Sequence, residues 1–294
     1  MKIGVTAASG KLGTEIINTL LEYTDPENII GLSRIPEKAG HLDVEIRRGD
    51  YSIIDDFLES LIGVETLILI SSNDHPENRI KQHRNVIMAA AHNHVSKIVY
   101  SGFFGDTTQT AFTPIILSNR QTEVDLRNSG LEWVIGRNGL YIEPDLEYIE
   151  HYVKAGKISN SAGRGKCGYT SRKELAYAYA KMAVEDKHFY QVYNLSGYPV
   201  TQYQLTDYIN DIYHLNLTYE PVSIEEFLNN RKKDLGNFHG TIVGGIYEGI
   251  NKGVFQVESD FKKVTGRPHK SMKQMIKEYR RTSRQHSSPI RNVI

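Results

Sequence analysis

The segment TAASGKLG, from Thr6 to Gly13, sets two glycines after the apolar run KIGV and at the head of KLGTEIINTLLEY. A dinucleotide's diphosphate needs that combination: a tight turn, a backbone that an anion can approach, and a helix whose first N–H groups lack partners. Gly10 and Gly13 supply the turn and the close approach, and Ser9 supplies a hydroxyl donor. Thr6, Ala8, Lys11 and Leu12 complete the candidate contact surface. The first glycine of the usual GxxGxxG spacing is missing, with Ala7 in its place, a departure that matters only where the turn demands a positive φ.

A second signal lies at the end of NIIGLS, in Ser33 and Arg34. An NAD site ends its second strand in an acid that accepts from the ribose 2′-hydroxyl. A guanidinium cannot accept, but it pairs with a 2′-phosphate, and Lys38 lies close by. The expected cofactor is therefore NADP(H), with NAD(H) the less favoured alternative; the competing explanation of Arg34 is a solvated loop residue. Asp50 and Tyr51 of RGDY end the third run, where Asp50 either accepts from an adenine amino group or caps a helix.

These residues must be positioned by regular elements, and the hydrophobic periodicity provides them. KIGVTA, NIIGLS, VEIRR, ETLILIS, SKIVYSG and LEWVIGR read as strands. Between them KLGTEIINTLLEY, IIDDFLESLI, ENRIKQHRNVIMAAAHNH and PIILSNRQTEVDLRNSG read as helices. Such alternation predicts an α/β fold, a Rossmann-like doubly wound parallel sheet, with apolar ETLILIS at its centre. Residues 1–137 form the expected nucleotide-binding domain, its sheet completed by part of 190–200. Residues 138–280 form a smaller C-terminal α/β lobe, and 281–294 a flexible tail. GTIVGGIYEGINKG is read as an apolar helix or loop weakened by its glycines.

Lys and Arg total 35, as do Asp and Glu, so no global field attracts nucleic acid. The single cysteine, Cys167, excludes an internal disulfide and a multi-thiolate metal site, and no metal is expected. No apolar run approaches the ~18 residues of a spanning helix, so no membrane partner is expected and a cytoplasmic protein is.

With these features together the chain resembles the atypical short-chain dehydrogenases called NmrA-like, on the bacterial type-2 NAD(P)H:quinone oxidoreductase side of that group. The resemblance rests on TAASGKLG, LSRIPEKA, RGDY, LILISS, QHRNVIMAA, SGLEWVIGRNGLY, SAGRGKCGYTSRKELA and VYNLSG, and covers about residues 1–280. It implies an NADPH-dependent oxidoreductase that passes hydride to a quinone-like small molecule. It also places Ser71, Ser72, Gln82, His83 and Asn85 beside the cofactor, and Arg137, Asn138, Gly139 and Tyr141 near the nicotinamide and the acceptor. A homodimer is left open.

Typical short-chain dehydrogenases carry Tyr-x-x-x-Lys on the helix after strand five, and this chain has neither Tyr nor Lys between Gly102 and Gly130. Losing a positioned general acid costs about a hundred- to ten-thousand-fold, which disfavours alcohol chemistry. A quinone needs less help, because its reduction yields a delocalised hydroquinone anion. On this placement Asn138 and Tyr141 donate to the acceptor and Phe103 and Phe104 offer a stacking wall. Core packing is the competing explanation for the two phenylalanines, and a cap and a buried ring for the other pair. The absent acid equally suits a non-catalytic NADP(H) sensor that signals to a protein partner. In SAGRGKCGYTSRKELA, Ser171 is read as a helix cap and Glu174 as closing a capping box. FLNNRKKDLGNF is a candidate cover for the cleft.

Overall fold

The computed structural model describes residues 1–286. Strand and helix alternate through the first half: β1 (Ile3–Val5), α1 (Lys11–Leu20), β2 (Ile29–Ser33), β3 (Glu45–Arg48), α2 (Ile54–Ser60), β4 (Thr66–Ile70), α3 (Pro76–His92), β5 (Lys97–Phe103), α4 (Thr113–Arg127) and β6 (Glu132–Asn138). Shorter pieces follow: β7 (Leu140–Tyr141), α5 (Glu143–Glu147), α6 (Ile149–Ala155), β8 (Lys157–Asn160), β9 (Lys166–Cys167) and β10 (Tyr169–Thr170). Then come α7 (Arg172–Val184), β11 (Gln191–Leu195), β12 (Val200–Thr201), α8 (Gln202–Tyr213), β13 (Thr218–Pro221), α9 (Ile224–Asn251), α10 (Phe261–Thr265) and α11 (Met272–His286).

Seven strands form one sheet in the order β11-β6-β5-β4-β1-β2-β3, every neighbouring pair parallel. The architecture is the expected Rossmann-like one, with apolar β4 central and buried at all five positions. Period-two alternation sorts its side chains between two faces. Ile68 and Ile70 join Ile3 and Val5 against α1 and α7, whereas Leu67 and Leu69 join Tyr100 against α2 and α3. The order in which strands are added reverses between β1 and β4, so a crevice opens beyond their carboxyl ends, which is where doubly wound sheets bind ligands.

A third apolar cluster gathers Phe104, Phe112, Ile142, Tyr169, Ile209, Phe255 and Ile276 from the elements after β6 and the β5–α4 loop. The glycine-rich 240–253 segment is helical through Asn251, within α9, whose two halves fold back on each other at Gly236 (φ 79°, ψ 166°). The glycines permit close approach: a Cβ on Gly240 would lie 2.4 Å from Lys232 Cα, and one on Gly244 2.5 Å from Leu228 Cδ1. Propensity alone misses this gain, because it scores the helix without its neighbour.

Ser171 does cap α7, its hydroxyl accepting from Glu174 N at 3.2 Å. The capping box is not closed, however. The Glu174 carboxylate turns away to accept both terminal nitrogens of Arg267 at 2.7 Å, with Lys270 N at 3.0 Å. A bidentate ion pair outcompetes one backbone bond for a buried carboxylate. Helix α11 continues to His286, so residues 281–286 of the expected tail are helical; 287–294 lie outside the described residues. No helix among the described residues is long and apolar enough to cross a membrane.

Candidate functional site

The glycine loop joins β1 to α1 at the crevice. Ala7 has φ 51°, in the left-handed region, so the missing glycine does matter here. The turn is held by Gly10 N on Ala7 O (2.9 Å) and Thr14 Oγ1 on Ala8 O (3.0 Å). Gly13 packs onto it so closely that a Cβ would lie 2.3 Å from Ala7 O. Helix α1 starts without a side-chain cap, and the N–H groups of Lys11, Leu12 and Gly13 have no acceptor among the described residues. Three unpartnered amides at the positive end of a helix dipole suit a diphosphate. Replacing Ala7 by glycine relieves about 1 kcal/mol or more of left-handed strain against about 0.4–1 kcal/mol of added unfolded-state freedom. The expected outcome is a melting temperature unchanged or raised by no more than a few degrees; a clear fall would show that the methyl packing matters more than the strain.

Thr6 and Ala8 do not face the crevice. Both are fully buried, and Thr6 Oγ1 accepts from Ile70 N (2.8 Å) and lies 2.7 Å from Tyr51 Oη. Tyr51 also donates to Ile70 O, and its backbone carbonyl accepts from Asn85 Nδ2 (2.9 Å). Tyr51 and the Asn85 amide nitrogen thus tie β1, β4 and α3 together. Leu12 is likewise in the core, leaving only its amide for a ligand. Asp50 does not cap α2: its Oδ1 accepts from Ser52 N (2.9 Å), closing a turn ahead of that helix, which begins at Ile54.

Ser33 ends β2 against the loop, its hydroxyl 3.0 Å from that of Ser9. Beyond it Arg34 and Lys38 are exposed, and neither side chain has a hydrogen bond or ion pair among the described residues. Two cationic side chains without a partner among the described residues thus follow the carboxyl end of β2.

At the end of β4, Ser71 donates to Asn119 Oδ1 (3.3 Å) and Ser72 to Gln82 Oε1. Gln82 in turn donates to Asp74 Oδ2 (2.9 Å). His83 is wholly buried, with Ser72 N donating to its Nε2 at 3.0 Å, so Nδ1 carries the proton and donates to Thr122 Oγ1 at 2.8 Å. Burial, aided by the nearby Arg79 charge, pushes its pKa down to about 3, and the ring stays neutral. Gln82 and His83, placed beside the cofactor from sequence, therefore shape the β4–α3 loop from behind. Buried Arg79 does the same, donating to Ser72 O (2.7 Å), Ser118 Oγ (3.0 Å) and Asp74 O (3.1 Å).

At the end of β6 the guanidinium of Arg137 is taken by Glu123, with Nε to Oε1 at 2.8 Å and Nη2 to Oε2 at 2.7 Å. Arg120 also donates to Glu123 (2.8 Å), so α4 spends its acid on structure. Asn138 is buried and saturated. Its amide donates to Ser101 Oγ (3.1 Å) and Tyr141 Oη (3.2 Å), while its carbonyl accepts from Tyr179 Oη (2.6 Å). Asn138 therefore orients Tyr141 and has no donor left for an acceptor. The half-buried Tyr141 keeps its own O–H proton free of any acceptor among the described residues. Burial pushes its pKa up to about 12 against the opposing bond from Asn138 and the charge of Arg172, whose guanidinium lies 5.7 Å from the ring centroid. Gly139 is buried, and a Cβ there would meet Gly168 O at 2.6 Å. Phe104 is fully buried and stacked on Phe255 at 5.5 Å, so it belongs to the core; only Phe103 keeps partial exposure.

The two Tyr-x-x-x-Lys spacings form no acid pair. Tyr169 is buried beneath Gln202, Tyr177 lies under Arg267, and Lys181 pairs with Glu185. The Cys167 thiol is buried, and burial raises it well above its ordinary range. Two contacts escaped sequence reasoning. Lys11 Nζ reaches Glu147 Oε1 (2.8 Å), which also accepts from Arg172 (3.1 Å). Phe238, beyond the Gly236 fold, stacks on His75 at 3.7 Å, so FLNNRKKDLGNF does reach the β4–α3 loop. Among the described residues no three His, Cys, Asp or Glu gather as a metal site.

Fold, switch point and uncapped glycine loop define a dinucleotide-binding α/β protein. The chain matches the NAD(P)H-binding family over residues 7–186 and belongs to that family, on its NmrA-like side. It is 34% identical over 200 residues to quinone oxidoreductase 2 of Escherichia coli strain K12, covering 66% of this chain and 68% of that one. Triphenylmethane reductase of Citrobacter sp. superposes with a TM-score of 0.87 at 30% identity, over 95% of this chain and 99% of that one. An NADPH-dependent quinone oxidoreductase of Escherichia coli, complexed with NADPH, superposes with a TM-score of 0.86 at 28% identity, over 94% and 99%. The chain is an NAD(P)H-dependent oxidoreductase of this type.

Proposed function

We propose that this oxidoreductase prefers NADPH and passes its hydride to a quinone or a similar electrophilic ring. One observation carries the reading: at the carboxyl end of β6 a tyrosine with a free O–H proton stands beside a guanidinium, with no Tyr–Lys acid on α4. Such a site suits an acceptor that becomes an oxyanion and can wait for its proton. Two relatives are named a quinone oxidoreductase and a triphenylmethane reductase, which supports the choice of a ring-bearing acceptor.

The residues fit the cofactor. The amides of Lys11, Leu12 and Gly13 would hold the diphosphate, and Arg34 with Lys38 the 2′-phosphate. Ser9 and Ser71 keep some exposure along the same edge. Bound dihydronicotinamide supplies a hydride. Tyr141 then donates to the oxygen that gains charge, Asn138 and Tyr179 fix the tyrosine's position, and Phe103 gives the ring an apolar edge.

The test is oxidation of NADPH with a panel of small benzoquinones. Turnover above the uncatalysed rate is expected, and Tyr141→Phe should lower kcat/KM by about ten-fold, the value of one hydrogen bond to a developing charge. Tight NADP(H) binding with no turnover would transfer the case to a sensor.

A further inference from the structure

We propose that Glu147 is an internal competitor for the cofactor's diphosphate, which keeps the nucleotide from binding too tightly and speeds its release. The inference rests on the placement of the diphosphate on α1 proposed above.

Helices α1 and α7 pack side by side against one face of the sheet, and Lys11 and Arg172 are their first residues. The two helix starts differ. At α7 the amides are served from within, Glu174 N by the Ser171 hydroxyl at 3.2 Å and Arg172 N by Glu143 Oε1 at 2.7 Å. At α1 no acceptor among the described residues serves the amides of Lys11, Leu12 and Gly13. Glu147 is tied to both helix starts: its single oxygen Oε1 takes both the Lys11 ammonium (2.8 Å) and the Arg172 guanidinium (3.1 Å). The carboxyl is partly buried, and these two bonds outweigh that burial to hold it below the usual range, so it is charged at neutral pH.

A diphosphate seated on the α1 amides lies beside the residue whose ammonium Glu147 holds. Two anions then compete for one cation, and each raises the energy of the other. The carboxylate is attached to the protein and needs no recruitment, so it regains Lys11 whenever the nucleotide moves away. In enzymes where product release limits turnover, such a group sets the rate at which oxidised cofactor departs.

The experiment is calorimetric titration of the full chain with NADP+ and with adenosine 2′-monophosphate, for wild type, Glu147→Gln and Glu147→Ala. Both variants should bind NADP+ about ten-fold tighter, a gain that shrinks as salt screens the charges, and should release it correspondingly more slowly in displacement experiments. Adenosine 2′-monophosphate, which lacks the diphosphate, should bind all three proteins equally. Unchanged or weaker NADP+ binding in both variants would overturn the proposal, as would an equal change for the monophosphate. Wild-type protein that failed to bind NADP+ would overturn both this inference and the placement beneath it, whereas absent quinone turnover with intact binding touches only the proposed reaction.

Discussion

Replacing Arg34 by alanine should weaken NADPH binding by about ten- to a hundred-fold and leave NADH binding unchanged. The guanidinium follows Ser33 at the end of β2, whose three-strand register with β1 and β3 fixes where the chain leaves the sheet. Ser33 touches Ser9 of the glycine loop at 3.0 Å, so Arg34 follows directly beside that loop. Its side chain is exposed, without an acceptor among the described residues, and no acid takes its place to receive a ribose hydroxyl. A charge-assisted bond to a phosphate contributes about 1.5–3 kcal/mol, and losing it accounts for the expected range. Arg34→Lys should recover part of the affinity, since an ammonium supplies charge without the planar fork. Calorimetry with both nucleotides decides the matter, and an equal loss for NADPH and NADH would remove the phosphate contact from consideration.

Elements with a short-range cause were legible. The strands, the loop before α1 and the Ser171 cap each follow from residues a few positions apart, where periodicity and capping chemistry operate. Long-range partners were not. His83 meets Thr122 39 positions away, Arg137 meets Glu123 14 positions away, and Lys11 meets Glu147 136 positions away. Spacing tells which face a side chain occupies but not what stands opposite. Thus Gln82, His83, Asn85, Arg137 and Asn138, expected to face the cofactor or acceptor, each spend polar atoms on bonds inside the protein. The left-handed Ala7 was equally hidden, since alanine carries no signal for positive φ, and the α9 glycines misled because their benefit lies in a neighbouring helix half.

That commitment has a consequence in acid. His83 has an ordinary pKa of 6.5, which applies when the chain is unfolded, and about 3 when folded. Between those values the unfolded chain holds a proton that the folded chain lacks, so stability falls as pH falls, by about 1.4 kcal/mol per pH unit. Asp145 acts oppositely. Burial raises its pKa from 3.8 to about 6, against the bonds it accepts from Tyr152 (2.9 Å) and Tyr247 (3.2 Å), so across that window the folded chain holds the extra proton and acid favours folding. The two groups offset each other where their windows overlap, and the wild type conceals both. Denaturant unfolding at a series of pH values separates them. His83→Gln should cost about 2 kcal/mol or more at neutral pH, because the ring between Tyr51 and Tyr100 is lost. The deficit should shrink by about 1.4 kcal/mol for each unit below pH 6.5, as the variant no longer pays for holding an imidazole neutral. Asp145→Asn should do the reverse and make the protein more acid-sensitive. A deficit in His83→Gln that stays constant across that range would mean that the buried imidazole is not held neutral, and with it would go the assignment of Nδ1 as the proton-bearing nitrogen.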